Sequence, residues 1–465
     1  MTEPQTLEKK PSIKMIPLMA ILLSGAFITI LNQTLLGTAL PVIMEDLHLT
    51  ESTVQWLQSV FMLVNGIMIP VTAFLIQRFT TRRLFLTAMS LFALGTATAA
   101  IAPTFSLLLI GRVLQASGAG IMMPLLQTIL FLVFPIEKRG QAMGMFGLVI
   151  AFAPAIGPTL SGWLVDQFHW RSVFYVVLPI AIINIVGAYI FLKDVTEQRD
   201  IKVDVTSIIL STIGFGGLLY GFSIAGNVGW GSIQVYGTMV IGAISLFFFI
   251  TRQLKLDQPM LEFRVFKDKI FSLTTGLGMI VFMSMIGTAV ILPLFMQNML
   301  GFSALDSGLV LLPGAIIMGI MNPITGKLFD MFGARYLAIG GFLILTVTTF
   351  LFADLSTETT LMYMAVLNAV RMLSISMVMM PVTTAGLNQL PENLIPHGTA
   401  MSNTFRQMSG AIGTAVLVTV MSTTAIPNEG INGLIHGVNV SFYVATAISV
   451  IGLILSLFLK SPKLK

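Results

Sequence analysis

Three arginines lie inside apolar stretches of the chain, where a positive charge needs a physical reason. Arg112 follows the run LLLIG, and Gln115 lies one helical turn later on the same face. Arg371 and Arg406 have similar surroundings. Because a guanidinium within a bilayer costs at least about 2.5–3.5 kcal/mol, such residues usually bind ligands or couple ions. The alternative is a structural bond to helix carbonyls or, for Arg406, a side chain that reaches the membrane interface.

Acidic residues are absent from the depth of the same stretches. All 20 Asp and Glu fall in tails, loops or the ends of apolar runs, and the nearest are Asp204, Asp306 and Asp330. The first apolar run carries the amides Asn32 and Gln33 instead. A buried carboxylate would attract cations and could carry a proton. We therefore expect an interior that suits neutral, zwitterionic or anionic amphiphiles and that lacks an obvious proton carrier.

The elements that carry these residues are predicted to be membrane-spanning helices. The 465 residues are 55% hydrophobic and 10% charged, with a mean hydropathy of +0.92, whereas soluble proteins carry about 25% charged residues. Apolar runs of about 20 residues recur along the chain, which indicates an all-α polytopic membrane protein. Cys is absent and no P-loop is found, so neither a thiolate metal site nor nucleotide binding is indicated. No metal and no cofactor is among the expected ligands. Fourteen spans are predicted, near residues 16–40, 53–76, 84–103, 105–131, 141–164, 172–192, 205–225, 233–251, 270–297, 306–325, 336–353, 360–383, 400–422 and 438–459.

The distribution of basic residues predicts the orientation of these spans. If the N-terminus is cytoplasmic, 21 of the 25 Lys and Arg lie in inner segments, one lies in an outer loop and three lie within spans. This asymmetry is the one that the positive-inside rule describes, so both termini are predicted to be cytoplasmic. The same topology accounts for the net charge of +5, so nucleic acid is not an expected partner.

An internal repeat predicts how the spans are grouped. The segment GKLFDMFGAR, Gly326 to Arg335, follows span 10, and a degenerate copy, AFLIQRFTTRR, follows span 2. Arg112 in span 4 corresponds to Arg371 in span 12. The copies lie about 250 residues apart, whereas two adjoining six-helix halves would repeat at about 200 residues. We therefore predict an N-terminal half over residues 1–200, an inserted helix pair over 201–265 and a C-terminal half over 266–465.

One stretch combines helix breakers with a bare surface. Gly147 to Gly162, GLVIAFAPAIGPTLSG, contains two prolines one turn apart and small residues at spacings of four. Each proline costs about 3 kcal/mol in an ordinary helix, so a kinked helix is predicted, which a neighbouring helix can approach closely. The two interpretations are helix packing and a hinge or seal between moving halves. The candidate hinge residues are Pro154, Gly157, Pro158 and Gly162.

Four motifs together resemble the major facilitator superfamily and, within it, the fourteen-span drug:proton antiporter branch. They are LNQTLLGTALP in span 1, LLLIGRVLQASGAG in span 4, APAIGPTLSG in span 5 and GKLFDMFGAR after span 10. Within this branch the chain looks most like bacterial lincomycin-resistance-type multidrug exporters. The resemblance implies a major facilitator fold of six, two and six helices. It also implies proton-coupled drug efflux by alternating access, in a multi-pass protein of the bacterial cell membrane.

The resemblance also implies roles for individual residues. Asn32 stands where cation exporters of the family often carry an aspartate. The expected transport and coupling residues are Arg112, Gln115, Asn32, Gln33 and Arg371. A cytoplasmic latch is expected, and its residues are Gly326, Asp330, Gly333 and Arg335, with Arg78 from the degenerate copy. In that copy Gln77 and Thr80 replace the acid and the glycine that the family usually has. The expected partners of this monomer are small amphiphilic substrates, protons and the lipid bilayer.

Two other functions stay open at this point. An interior whose charges are all positive also fits a dedicated exporter of a lipid, a signalling nucleotide or a metabolite. A channel or a non-transporting membrane scaffold is the alternative from another class. A channel should show a continuous polar stripe through several spans, whereas the polar residues of these spans are isolated.

Overall fold

The computed structural model of the chain describes residues 15–196, 198, 200–201 and 203–459. Eight basic residues of the predicted inner segments lie outside this part: Lys9, Lys10, Lys14, Arg199, Lys202, Lys460, Lys463 and Lys465. The described residues form fourteen long helices and no β-strand. The helices are α1 (Met15–Asp46), α2 (Trp56–Arg78), α3 (Thr81–Ala100), α4 (Phe105–Val133), α5 (Arg139–Gln167), α6 (Ser172–Phe191), α7 (Val205–Val228), α8 (Ile233–Lys255), α9 (Lys269–Leu294), α10 (Ala304–Phe332), α11 (Ala334–Leu351), α12 (Leu361–Leu387), α13 (Ile395–Thr424) and α14 (Gly430–Ser456).

Thirteen of the described helices are long and apolar enough to cross a membrane. The exception is α13, whose first half, HGTAMSNTFRQMSG, is rich in polar residues. Thr399, Asn403 and Arg406 from this segment are nevertheless buried, so they face other helices rather than lipid. The predicted all-α membrane fold with fourteen helices is confirmed, although the hydropathy of α13 alone would not identify it as a span.

The long helices pack as two bundles. Helices α1–α6 form the first bundle and α9–α14 form the last bundle; apart from α5, which packs most extensively on α10, these helices contact mainly others of their own bundle. The two bundles meet where α5 packs along α10 and where α13 packs against α2 and α4, and we call this surface the seam. Helix α7 lies against α2 and α13, and α8 packs mainly on α7. This order follows the predicted grouping of six, two and six helices, whose residue bounds stay predictions.

The two ends of this helical assembly differ in charge. Because fourteen helices alternate in direction, both ends of the described chain lie on one side. We call this side the basic end, since Arg78, Arg139 and Lys327 lie there, and the other side the opposite end. The links at the opposite end carry a single basic residue, Arg171.

A tight turn at the basic end joins α10 to α11. Helix α10 ends at Phe332, and the N–H group of Gly333 donates to the carbonyl of Phe329. Gly333 has a φ of +77°, a backbone conformation that favours glycine. The turn leaves Asp330 on the last turn of α10, where it faces the first turn of α5.

Candidate functional site

Arg112 is completely buried in the first bundle, with an exposed fraction of 0%. Its Nε donates to the carbonyl oxygen of Leu57 in α2 at 3.1 Å, and Nη1 donates to Gln115 Oε1 at 2.9 Å. The guanidinium carbon lies 4.2 Å from the ring centre of Phe61, which is a cation–π distance. Nη2 has no hydrogen-bond partner among the described residues. One strong donor is therefore left for a ligand or a water.

Gln115 extends this network to two further helices. Its amide nitrogen donates to Thr96 Oγ1 in α3 at 2.9 Å and to Asn32 Oδ1 in α1 at 3.4 Å. Asn32 is buried, and its Nδ2 has no partner in the part of the chain that the structure describes. Gln33 is only half-buried and does not contribute to these hydrogen bonds. Three of the predicted transport residues therefore meet, and Gln33 does not join them.

Arg371 has a poorer hydrogen-bonding environment in the last bundle. Its exposed fraction is also 0%, and its Nη2 donates to the backbone carbonyl and the hydroxyl of Ser284 in α9, at 2.6 and 2.7 Å. Nε and Nη1 find no partner among the described residues. Arg371 and Arg112 thus both donate a hydrogen bond to a backbone carbonyl of a neighbouring helix, as expected if these arginines have a structural role. Both also keep donors that a ligand could use.

Carboxylates are found at the ends of the assembly and not beside these arginines. Within the described residues, salt bridges involve only Asp46, Asp200, Asp204 and Glu262 as acids. Asp204 precedes α7, where burial raises the pKa of its carboxyl but hydrogen bonds from Arg252 and Ser207 lower it more strongly. The net pKa lies below the ordinary value of 3.8, so Asp204 is ionised at neutral pH. It is held at the basic end, away from the buried arginines.

The two bundles touch closely at the basic end, where α5 meets α10. A β-carbon added to Gly140 would lie 2.4 Å from Asp330 Oδ1 and 2.5 Å from the carbonyl oxygen of Gly326, closer than atoms can pack. The Asp330 carboxylate accepts hydrogen bonds at 2.8 Å from the N–H groups of Gly140 and Gln141. These groups belong to the first turn of α5, whose positive dipole end favours an anion. Asp330 therefore links the last bundle to the first.

Polar contacts between α4 and α13 close the seam nearby. The hydroxyls of Thr128 in α4 and Thr399 in α13 lie 2.9 Å apart. Asn403 of α13 donates to Gln127 Oε1 of α4 at 2.6 Å. All four side chains are buried, so these bonds join the bundles beneath the surface of the basic end.

Gln77 and His397 form a further contact across the seam. The side-chain nitrogen of Gln77 lies 2.5 Å from His397 Nε2 near the start of α13, and the N–H group of Glu262 donates to His397 Nδ1 at 3.2 Å. In the internal repeat Gln77 occupies the position of Asp330, and each of them contacts the beginning of a helix in the other bundle. The sequence showed the replacement of the acid, but its histidine partner becomes visible only in three dimensions.

Other predicted latch residues do not cross the seam. Arg78 donates to the carbonyl oxygen of Ile201 and lies 3.7 Å from Asp200, in the segment that follows α6. Arg335, at the start of α11, forms no salt bridge with any described residue. The polar contact between the end of α10 and the start of α5 thus depends on Asp330 and backbone N–H groups. An ion pair between Asp330 and Arg335 is not part of it.

Towards the opposite end the predicted hinge of α5 is largely exposed. Pro154 and Pro158 are exposed, and a β-carbon on Gly162 would meet nothing within 4 Å. Gly157 packs on α1 within the first bundle, and α5 continues as one helix through both prolines. In this conformation the small-residue surface of α5 is closely packed at the basic end. A seal at the opposite end stays a prediction.

Two helical bundles that contact each other closely at the basic end, with buried cations inside, are typical of a polytopic membrane transporter. The described residues contain no group of three or more His, Asp or Glu that could hold a metal ion. The model of the Major Facilitator Superfamily matches residues 22–414. The chain belongs to this superfamily, so the predicted family is confirmed and the protein is a transporter rather than an enzyme.

Individual relatives agree with this assignment. The chain is 55% identical to the MFS-type transporter YcnB of Bacillus subtilis, over 98% of each protein. It is 43% identical to the lincomycin resistance protein LmrB of Listeria monocytogenes, over 97% of this chain and 98% of that protein. Among solved structures, the human organic anion transporter MFSD10 matches with a TM-score of 0.71 and 14% identity. That match covers 96% of this chain and 100% of the other, and it is a likeness of fold alone.

Proposed function

We propose that this protein exports amphiphilic drugs across the bacterial cell membrane by alternating access, driven by an inward proton. The observation that carries this proposal is the close contact of the two bundles at the basic end, while the α5 prolines are exposed towards the opposite end. A carrier of this kind alternates between two such conformations. We place the basic end in the cytoplasm because it gathers the Lys and Arg of the links. The conformation described here is then the one open to the outside.

The bonds at the basic end have a strength that suits reversible opening. They include two hydrogen bonds to the Asp330 carboxylate and the pairs Thr128–Thr399, Gln127–Asn403 and Gln77–His397. Arg139 Nη1 of α5 also donates to Asn388 Oδ1 at the end of α12 at 3.0 Å. A neutral hydrogen bond contributes about 0.5–1.5 kcal/mol and one to a charged group about 1.5–3 kcal/mol. To shift two conformations from a ratio of 1:99 to 99:1, a ligand must bind the favoured conformation about 5.5 kcal/mol more tightly than the other. The hydrogen bonds therefore stabilise the contact of the bundles at the basic end, and they are weak enough to break during transport.

The buried arginines support the proposed class of substrate. Arg112 and Arg371 come from α4 and α12, the corresponding helices of the two halves, and both keep unused donors. Carbonyl, carboxylate and phosphate oxygens accept such hydrogen bonds, whereas a dication would be repelled. The name of the relative LmrB, a lincomycin resistance protein, supports drug export. Proton coupling is proposed from the resemblance to drug:proton antiporters.

Flux measurements in sealed proteoliposomes test this function. The purified protein is reconstituted, a pH gradient is imposed, and the uptake of neutral, anionic and cationic amphiphiles is compared. We expect saturable uptake of neutral or anionic compounds that stops when a protonophore collapses the gradient. Uptake restricted to dications would contradict the proposed substrate class. Ion current without saturation or counterflow would contradict a carrier.

A dedicated exporter of an anionic lipid or metabolite is the second candidate. The specific observation in its favour is the interior with buried Arg112 and Arg371 and without a nearby carboxylate. The same liposomes distinguish the two functions when anionic metabolites are added to the panel. Saturable transport of one such anion, without transport of any drug, would assign the second function.

A further inference from the structure

We infer that the last bundle contains a binding site for one small inorganic anion of the size of chloride, held by Arg406. The site lies in a cavity between three helices of this bundle. Its lining residues are Thr274, Thr275 and Gly278 of α9, Thr383 of α12, and Ser402 and Arg406 of α13. None of them belongs to the transport, hinge or latch residues considered above, so the site is separate from the proposed substrate anchors.

Arg406 is a buried cation with an unused donor. Its exposed fraction is 7%, so its side chain does not reach the membrane interface as one alternative expected. Nη2 donates to Asn403 Oδ1, whereas Nη1 is buried and has no partner among the described residues. The guanidinium carbon lies 6.0 Å from the ring centre of Phe282, at the outer limit of a cation–π contact. The positive charge of Arg406 is therefore poorly satisfied by the protein itself.

An anion satisfies Arg406 better than a neutral water does. No salt bridge within the described residues involves Arg406, and an isolated buried charge is costly unless it is paired. A water would accept a hydrogen bond from Nη1 but would leave the charge unbalanced. A monovalent anion would accept the same bond and would neutralise the guanidinium.

The cavity offers a second donor to such an anion. The hydroxyls of Thr274, Thr275 and Thr383 donate to carbonyls of their own helices and are not free. Ser402 also lines the cavity, and its hydroxyl makes no hydrogen bond within the described part of the chain. Ser402 and Arg406 lie four residues apart on α13 and both line the cavity, so we propose that both donate to one ion.

The size of the cavity suits a small ligand. Its volume is about 10 Å³, which is about the space that a single water needs. Chloride is larger than water, so the lining hydroxyls must move to admit it. A β-carbon on Gly278 would meet nothing within 4 Å, so there is open space beside that residue.

The site is connected to the seam through one side chain. Arg406 donates to Asn403, and Asn403 donates across the seam to Gln127 of α4. An anion that neutralises Arg406 keeps its guanidinium in this position. The bound anion is therefore expected to favour the conformation that is closed at the basic end.

Binding of chloride-36 to the purified full-length protein tests the site. Scintillation proximity is measured in detergent, with gluconate as the balancing anion and bromide as the competitor. We expect saturable binding of one ion per chain, with competition by bromide. Gly278→Ala, which adds a methyl group to the cavity, should weaken binding by at least about tenfold. Gly276→Ala is the matched control, since its β-carbon also meets nothing within 4 Å but lies outside the cavity lining.

Each result supports or overturns the anion site. Loss of chloride binding in Arg406→Gln, in protein that elutes as a single folded species, supports it. If that variant does not fold, the comparison of Gly278→Ala with Gly276→Ala decides. Absence of saturable chloride binding in the wild-type protein would show that water satisfies Arg406 and would overturn the site. Wild-type binding by Gly278→Ala, or a lack of competition by bromide, would also overturn it.

Discussion

At the scale of single residues, the buried arginines determine what the interior can bind. The spacing of Arg112 and Gln115 predicted that they share a helix face, and they do bond to each other. Their other partners, the Leu57 carbonyl and Thr96, come from helices that the sequence alone could not align. A hydrogen bond between distant segments depends on helix rotation, and hydropathy does not define the rotation of a helix closely enough.

Replacement of Arg112 tests its transport role. Arg112→Ala should lower export by at least about tenfold, equivalent to about 1.4 kcal/mol, because the anchor for substrate oxygens is lost. Efflux from cells that express the variant measures this effect, with membrane abundance determined on the same cells. Arg371→Ala provides the comparison in the corresponding helix. Wild-type export by Arg112→Ala at normal abundance would remove Arg112 from the mechanism.

A single added carboxylate should alter the charge preference of the interior. Asn32→Asp places an acid within the network of Gln115 and Arg112, and we expect the substrate profile to shift towards cations. Gln33→Glu is the matched control, since it adds the same charge at the next position, outside this network. The measurement is the uptake of the cationic and anionic members of one panel. An unaltered profile in Asn32→Asp would contradict an arginine-determined interior.

At the scale of the helices, small residues determine where the bundles can approach. The spacing of Gly147, Ala151 and Ala155 predicted a bare surface on α5. The closest approach, however, lies nearer the start of this helix, where Gly140 meets Gly326. A sequence pattern describes a surface for all conformations of a carrier, whereas one structure shows the contacts of a single conformation.

A methyl group at the closest approach should open the basic end. Gly140→Ala puts a β-carbon 2.4 Å from Asp330 Oδ1, so α5 and α10 must separate. Because the chain has no Cys, a single Thr399→Cys in the seam reports the change by its rate of labelling with a maleimide. We expect a rise of roughly five- to tenfold, at the lower end of the usual range of coupling energies.

Gly237→Ala in α8 is the control for this experiment. A β-carbon at Gly237 meets nothing within 4 Å, so the labelling rate should stay that of the parent protein. If Gly140→Ala and Gly237→Ala label equally slowly, the contact between α5 and α10 does not hold the basic end closed.

The prolines of α5 should matter more for turnover than for folding. Pro158→Ala restores a backbone donor to the helix and is expected to slow transport by at least about twofold, because the opposite half of α5 becomes stiffer. Pro179→Ala, at an exposed position in α6 away from the seam, is the matched control. Initial rates in proteoliposomes compare the two variants. Unchanged turnover in Pro158→Ala would favour the packing interpretation of this stretch.

At the scale of the whole molecule, most of the architecture could be predicted from hydropathy and repetition. Long apolar runs and the recurrence of GKLFDMFGAR as AFLIQRFTTRR were sufficient for fourteen helices and their order. The position of α7 against α2 and α13 was not predictable, because a lipid-facing helix can pack on many neighbours. The closure of the seam by Gln77 and His397 was missed because it joins opposite halves of the chain.

The most direct test of alternating access measures both ends of the seam in the same protein. Spin labels are attached to two cysteine pairs in separate samples: Gln141→Cys with Lys327→Cys at the basic end, and Gly162→Cys with Leu309→Cys at the opposite end. All four positions are exposed, and no native Cys interferes. Double electron–electron resonance should give a short distance at the basic end and a long one at the opposite end. Substrate or a lowered pH should transfer part of the population to the reverse pattern. Distances that stay constant under every condition, or that lengthen at both ends together, would contradict alternating access.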